Sequence, residues 1–272
     1  MIIILIFNYG SLLIYFQAVV YATYFILVIP SGTENVHRII DMPNYLFYLP
    51  GRLSIALVGV ATVWFTYHLV TNGYRNRLLG LLAALFLAFS PIHVEESRYI
   101  TPNVLSGFFV VLSLFFASRI LENSSVSSQL EVTRNYILAG LFAGLAASTK
   151  YNAALVAVSM LTTYLLSLRT SKIACSMGLG AMVFGFLAGT PYAIFDPETF
   201  LYGVRTEQIH YRFQGSQQYF WWYADYLFHA GVGQVVSILI IVGLIYGLSL
   251  NWRSHLITNV FLLCYFFADV FI

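Results

Sequence analysis

The chain has 272 residues, of which 60% are hydrophobic and 17% aromatic, and its mean hydropathy is +0.80. A soluble domain of this length could not bury so much apolar surface, so the composition excludes a soluble protein and predicts one that lies mostly in lipid. The formal charge of +2, without any run of basic residues, gives no indication of a nucleic-acid partner.

The first part of the chain is a series of apolar runs separated by short polar segments. Met1–Ile29 carries no charge and is long enough to span a bilayer, although an aromatic-rich helix in the membrane interface is an alternative. Pro30–Gly51 is predicted to be a polar loop and Leu53–Tyr74 a spanning helix. Leu78–Val94 is predicted to return across the membrane, and Tyr99–Ser118 to cross it again.

The middle of the chain contains one hydrophilic segment and then further apolar runs. Arg119–Arg134 is the most hydrophilic stretch and is predicted to be a solvated linker. Tyr136–Thr149 and Tyr151–Leu168 are predicted to form a helical hairpin interrupted by a single charge at Lys150. Ile173–Phe195 is predicted to span the membrane, with glycines that allow close contact between helices.

The last part begins with Asp196–Asp225, a charged and aromatic stretch that is predicted to be a long loop anchored at the membrane interface. Gln234–Leu250 is predicted to span again, Asn251–His255 to form a turn and Leu256–Ile272 to begin a final helix. Together the runs predict an all-α polytopic membrane protein with about eight transmembrane helices.

The basic residues between the apolar runs predict the orientation. Seven of them fall in short connections on one side, which includes Arg119–Arg134, and six in longer segments on the other, which includes Asp196–Asp225. Short loops carry the most weight in the positive-inside rule, so we place the first side in the cytoplasm. The second side, which holds almost all acidic residues, then faces the outside or the lumen.

Ser90–Asn103 is a short charged segment between two apolar runs. His93, Glu95, Glu96 and Arg98 fall within six residues of a chain in which only 9% of residues are charged. Ionisable groups are costly to keep near lipid, so such a cluster indicates a functional site. The alternative is that any loop between two membrane helices must be polar.

The predicted outer face combines carboxylates with cations, which suits a reaction on an anionic, lipid-linked substrate. A cation can stabilise a departing phosphate, and a carboxylate can take the proton of an incoming hydroxyl. These charges lie at helix ends, whereas a channel or transporter more often places them in mid-helix. The candidate residues are Glu95, Glu96 and Asp196 among the acids and Arg52, Arg98, Lys150 and Arg205 among the cations.

Two of these positions have alternative interpretations. Lys150 is the single charge between Arg134 and Arg169, and it could also be a snorkelling lysine that marks a turn. His93 with a neighbouring glutamate would supply too few ligands for a metal site, so we predict none.

Three runs together resemble the membrane glycosyltransferases that use polyprenyl-phosphate sugars. They are YLPGRLSIALVGVATVWFTYHLV, LLGLLAALFLAFSPIHVEESRYITPNVLSGFFVVLSLFFA and GLFAGLAASTKYNAALV. The chain is similar in this region to dolichyl-phosphate-mannose protein mannosyltransferases and to the aminoarabinose transferase of lipid A. The resemblance implies a GT-C type bundle with its active site on the outer or lumenal face, and it implies no cofactor.

The resemblance also implies a reaction and positions for its residues. A hexose or mannose-like sugar would move from a polyprenyl or dolichyl phosphate to a protein, lipid or glycan acceptor. Ser97-Arg98-Tyr99 and Pro102-Asn103 would fill the motif of the second outer loop. Lys150, followed by Tyr151, would contact the lipid phosphate.

Two departures from the family pattern bear on catalysis. The family usually has an acid where this chain has Asn103, and an amide cannot act as a general base. The main acid of the family's first outer loop has no counterpart, so we expect residues 1–272 to be one transmembrane glycosyltransferase domain that is incomplete at both ends. We expect negligible transfer by the chain as written, unless Glu95 or Glu96 substitutes for the base rather than lying on a solvated face.

Two other classes of function stay open on the sequence. One is a transporter or flippase of a lipid-linked substrate, and the other is a catalytically silent membrane relative. An acidic pair after an additional apolar span upstream would favour the enzyme. In each case the chain is predicted to be a multi-pass membrane protein, in the plasma membrane if the organism is prokaryotic.

Overall fold

The computed structural model describes residues 10–28, 44–123, 128–167, 171–212 and 233–271, together with positions 221, 225, 226, 228 and 229. In this part of the chain the elements are helices joined by short turns, without a β-strand. The helices are α1 (Leu12–Val28), α2 (Asn44–Tyr74), α3 (Arg77–Ala88), α4 (Pro91–Glu96), α5 (Pro102–Asn123), α6 (Gln129–Thr149), a 3₁₀ helix (Tyr151–Val156), α7 (Ala157–Leu166), α8 (Lys172–Gly189), α9 (Tyr192–Phe195), α10 (Pro197–Arg212) and α11 (Gln234–Phe271).

Four of the described helices are long and apolar enough to cross a membrane, and they lie in α2, α5, α8 and α11. Three shorter apolar helices accompany them: Leu12–Leu27, Arg77–Ala88 and Tyr151–Leu166. The last of these is about 27 Å long, because 3₁₀ residues rise about 2 Å and α-helical residues about 1.5 Å. That length approaches the hydrocarbon thickness of about 30 Å, so the total of about eight spans stays a prediction.

α5 is the central helix of the bundle. In its most apolar stretch 61% of the residues are buried, against 28% or less in the other three long helices. Ser113 Oγ on α5 donates a hydrogen bond of 2.9 Å to the Ala139 carbonyl of α6. Since α5 and α6 run antiparallel, the start of α5 lies beside the end of α6.

Glycines bring α6 and α8 into backbone contact. A Cβ on Gly140 would lie 1.8 Å from the Gly178 carbonyl oxygen, and one on Gly144 would lie 2.1 Å from the Met182 carbonyl oxygen. Only glycine allows the two helix backbones to come this close. Close packing of this kind holds helices together inside a membrane, where no hydrophobic effect acts between them. The predicted role of the glycines in the Ile173–Phe195 run is confirmed for Gly178, Gly185 and Gly189, whereas a Cβ on Gly180 would meet no neighbour.

The bundle has two ends with different polar contacts. At one end, called the Asn251 end, the Tyr74 hydroxyl lies 2.6 Å from His255 Nδ1, and Asn251 Nδ2 donates 2.8 Å to the Gly73 carbonyl. At the other, called the Glu96 end, the end of α4 meets the start of α5 and the end of α6. The connection near Tyr74 and the one at Asn251, which the sequence assigned to one membrane side, are therefore together in space. The charged segment and Lys150, assigned to the other side, are together at the opposite end.

The predicted turn within the last apolar stretch is confirmed and lies at Asn251. This residue has φ −156° and ψ 85° inside an otherwise helical α11, and its side chain accepts a hydrogen bond from the Ser254 N–H. A Cβ on Gly247 would lie 2.3 Å from the His255 ring, although residues this far apart on a straight helix are separated by about 12 Å. α11 is thus two helical segments folded against each other.

Three predicted segments differ from the structure. Leu78–Val94 is not one continuous helix, because Pro91 has no backbone N–H and disfavours helical geometry at Ser90. α3 therefore ends before Ser90, and α4 begins at Pro91. The described part of the predicted linker Arg119–Arg134 is largely helical, since α5 and α6 extend into it. The predicted loop Asp196–Asp225 contains α10.

The predicted loop Pro30–Gly51 falls partly outside the described residues. Its described part is helical, because α2 begins at Asn44 and includes Pro50. Membrane helices tolerate such a proline where neighbouring groups compensate for the lost hydrogen bond.

Candidate functional site

A short helix and a tight turn place the charged segment at the Glu96 end. Pro91 opens α4 and Pro102 opens α5, and proline suits the first helical turn because its missing N–H would be unpaired there. Between them the Ser97 hydroxyl donates 2.6 Å to the His93 carbonyl and closes α4. The chain then reverses, which brings the last residue of α4 beside the first turn of α5.

His93 holds α4 against α2. Its Nε2 lies 3.2 Å from the Gly59 carbonyl oxygen and must donate, since a carbonyl can only accept. A Cβ on Gly59 would come within 2.5 Å of the Ser97 hydroxyl, so a larger residue there would displace the Ser97 side chain. His93 therefore has a packing role in this structure.

Glu96 is held by two donors from the start of α5. Its Oε2 accepts 2.7 Å from the Thr101 hydroxyl and 3.0 Å from Asn103 Nδ2. The side chain is half-buried, and the nearby helix N-terminus favours a negative charge. The carboxylate is thus fixed in one position.

Lys150 lies where α6 changes into the 3₁₀ helix, so the predicted interruption at this residue is confirmed. Its backbone is extended, with φ −147° and ψ 117°, and its N–H still bonds to the Ala146 carbonyl at 2.9 Å. The Ala153 N–H bonds to the Lys150 carbonyl and starts the next helix. The half-buried side chain reaches Asn103, with 3.4 Å between Nζ and Oδ1.

Asn103 consequently joins the two predicted reactive groups. Its amide nitrogen donates to Glu96 and its amide oxygen accepts from Lys150. Glu96 and Lys150 form no direct ion pair: within the described ranges the one ion pair joins His229 and Asp225. A carboxylate, an amide and an ammonium therefore form one chain at the Glu96 end.

A cleft of about 310 Å³ opens beside this chain, between α5, the 3₁₀ helix and the second half of α11. Its polar lining is Asn103, Ser106, Lys150 and Tyr265, and its other lining is Gly107, Val110, Ala153, Phe261 and Leu262. Asn152 Nδ2 donates 2.9 Å to the Tyr265 hydroxyl and so connects the 3₁₀ helix to α11. A cleft with a cation at one end and apolar walls can bind an anion that carries a hydrocarbon chain.

Tyr151 and Asp196 have structural contacts at the same end of the bundle. The Tyr151 ring meets Phe200 edge-on with 5.8 Å between centroids, and Asp196 Oδ1 accepts 3.2 Å from the Thr199 N–H at the start of α10. The structure does not bring the remaining candidates into the hydrogen-bonded chain. Their side chains are exposed and form no hydrogen bond with the described residues; they are Arg52, Glu95, Arg98 and Arg205.

Several residues that line the cleft or form hydrogen bonds beside it were not predicted from the sequence. Thr101 lies inside the charged segment Ser90–Asn103 but was not singled out there. Phe261 and Leu262 lie in a long apolar run and carried no signal. Asn152 and Tyr265 are polar groups inside apolar runs, but their pairing depends on the fold of α11.

The fold and the cleft define a helical membrane protein with a cation and a carboxylate at one end. A family model described as dolichyl-phosphate-mannose-protein mannosyltransferase matches residues 47–195, which is more than half of the chain. The chain belongs to this family of GT-C type membrane glycosyltransferases, so the resemblance noted in the sequence is confirmed. The match includes Glu96, Asn103 and Lys150. Searches of curated proteins and of solved structures gave no match.

Proposed function

We propose that this chain transfers a mannose-like hexose from a polyprenyl-phosphate carrier to a hydroxyl of a protein, lipid or glycan acceptor. The observation that supports this is the Lys150 ammonium at the polar end of an apolar cleft, beside a fixed carboxylate. The donor has the same two parts, an anionic phosphate and a long hydrocarbon chain. The family supports the reaction class.

The cleft would hold the donor by its phosphate and by the first part of its lipid. Lys150 would donate charge-assisted hydrogen bonds to the phosphate, while Phe261 and Leu262 pack against the adjoining hydrocarbon. A volume of about 310 Å³ is at the lower end for ligand sites, so the rest of the carrier would lie in the bilayer.

The reaction follows from the two charged groups. The acceptor oxygen forms a bond to the anomeric carbon while the bond from that carbon to the phosphate oxygen breaks. The electron pair stays on the phosphate, where Lys150 stabilises it, and the acceptor proton moves to Glu96. The products are the glycosylated acceptor, with the anomeric carbon inverted, and the polyprenyl phosphate.

Filling the cleft should block the donor without harming the fold. Gly107 lines the cleft, and a Cβ on it would meet no heavy atom within 4 Å. We expect Gly107→Leu to lower transfer from dolichyl-phosphate mannose to a peptide acceptor at least about tenfold, since displacing about two buried methylenes removes about 0.8 kcal/mol each.

Gly180→Leu is the matched control, because Gly180 on α8 is exposed and also meets no atom within 4 Å. It should keep full transfer, and both variants should keep the thermal midpoint of the parent. Normal transfer by Gly107→Leu would show that the donor binds elsewhere. Donor uptake into vesicles without transfer would favour the flippase alternative.

The Glu96 end is proposed to face the outside or the lumen. We expect Thr206→Cys on α10 to react with a membrane-impermeant maleimide in intact cells, and Gln129→Cys at the start of α6 to react only after permeabilisation. Both positions are exposed, and Cys175 and Cys264 are first replaced by alanine. The reverse labelling pattern would invert the orientation.

A further inference from the structure

We propose that Asn103 is a positioning residue that links Lys150 and Glu96 while preventing an ion pair between them. The inference rests on the proposed function, in which the ammonium is needed for a phosphate and the carboxylate for a proton. An ion pair between the two groups would partly neutralise both. A neutral side chain between them keeps each charge available.

The geometry explains why an amide serves at this position. An ammonium can only donate hydrogen bonds and an ionised carboxylate can only accept them, which also fixes which amide atom faces which partner. Asn103 places its nitrogen 3.0 Å from Glu96 Oε2 and its oxygen 3.4 Å from Lys150 Nζ. An aspartate could accept from Lys150 but could not donate to Glu96.

Asn103→Asp is therefore the informative substitution. It changes the size of the side chain very little, and an acid in the first turn of α5 suits the helix N-terminus, so the variant should fold. The new carboxylate would pair with Lys150 and repel both Glu96 and an incoming phosphate. The ammonium would then lose its proton less readily and would be less available to the donor.

Two measurements test this. The first is the rate at which Lys150 is acylated by an amine reagent, with Lys172, the other lysine of the chain, as internal reference. We expect the ratio of the two rates to fall roughly tenfold in Asn103→Asp, as for an amine that gains an opposite charge. The second is binding of dolichyl phosphate to protein in nanodiscs, which we expect to weaken at least about tenfold.

Two further variants separate the proposed cause from others. Asn76→Asp adds the same charge at the exposed cap of α3, at the Asn251 end, and should leave both measurements unchanged. Asn103→Asp combined with Glu96→Gln restores one amide and one carboxylate. If the new carboxylate pairs with Lys150, the combined variant should still acylate Lys150 slowly. If the effect of Asn103→Asp came only from repulsion between two carboxylates, the combined variant should acylate Lys150 at the parent rate.

The outcomes distinguish this inference from the proposed function. An unchanged acylation ratio in Asn103→Asp, or its recovery in the combined variant, would overturn the role of Asn103. The acylation ratio could fall in Asn103→Asp although the parent protein does not bind dolichyl phosphate. That result would support the role of Asn103 between Glu96 and Lys150 and would overturn the proposed donor.

Discussion

Replacement of Lys150 by alanine is expected to lower use of the lipid-phosphate donor by about a hundredfold or more. A half-buried cation that contacts a phosphate is worth a few kcal/mol, and losing it leaves the phosphate charge without a partner. The fall should appear in kcat/KM for dolichyl-phosphate mannose. Expression and membrane insertion should not change, because the side chain forms a single hydrogen bond with the described residues, to Asn103.

Lys172→Ala is the control for the loss of a positive charge. Lys172 begins α8 at the Asn251 end and is exposed, so its removal should leave transfer unchanged. A snorkelling role for Lys150 predicts a different result, namely that Lys150→Ala and Lys150→Gln both transfer at the parent rate. That outcome would remove Lys150 from the site.

Glu96→Gln is expected to lower the rate of transfer by about a hundred- to ten-thousandfold, the usual contribution of a positioned base. The amide keeps the shape of the side chain but cannot take the proton of an acceptor hydroxyl. The loss should appear in kcat, with dolichyl phosphate binding close to that of the parent. Single-turnover transfer with bound donor measures it directly.

Glu95→Gln is the matched control, because Glu95 is the neighbouring acid and its side chain is exposed and forms no hydrogen bond with the described residues. It should transfer normally. Equal rates for Glu96→Gln and the parent would show that Glu96 is not the base. A parent protein that binds dolichyl phosphate without transferring sugar would instead support the sequence expectation of a missing base.

Much of the helical arrangement could be predicted from the sequence. The interruptions at Lys150 and Asn251 were predictable because a charge or a polar cluster cannot stay in mid-membrane without partners. Helix ends near polar segments were less predictable. Arg119 is charged and α10 mixes polar with apolar residues, and such sequences form solvent-facing helices as readily as loops.

The candidate site was predictable in part. The charged segment and Lys150 were identified as separate features, one from its density of ionisable groups and the other from its isolation. Glu95 and Glu96 could not be ranked, because adjacent residues differ only in the direction that the turn gives them. The structure directs Glu96 towards Thr101 and Asn103 and leaves Glu95 exposed.

The sequence by itself determined that the chain lies in lipid, that it is helical and which glycosyltransferase family it belongs to, since these depend on composition and on the order of local patterns. The tertiary structure decided that Asn103 lies between Glu96 and Lys150 and that Phe261 and Leu262 form the wall of the cleft. The contact between Asn103 and Lys150 and the packing of α11 beside α5 join residues far apart in the chain. They depend on how α5, α6 and α11 pack, because the apolar runs resemble one another and do not specify their partners.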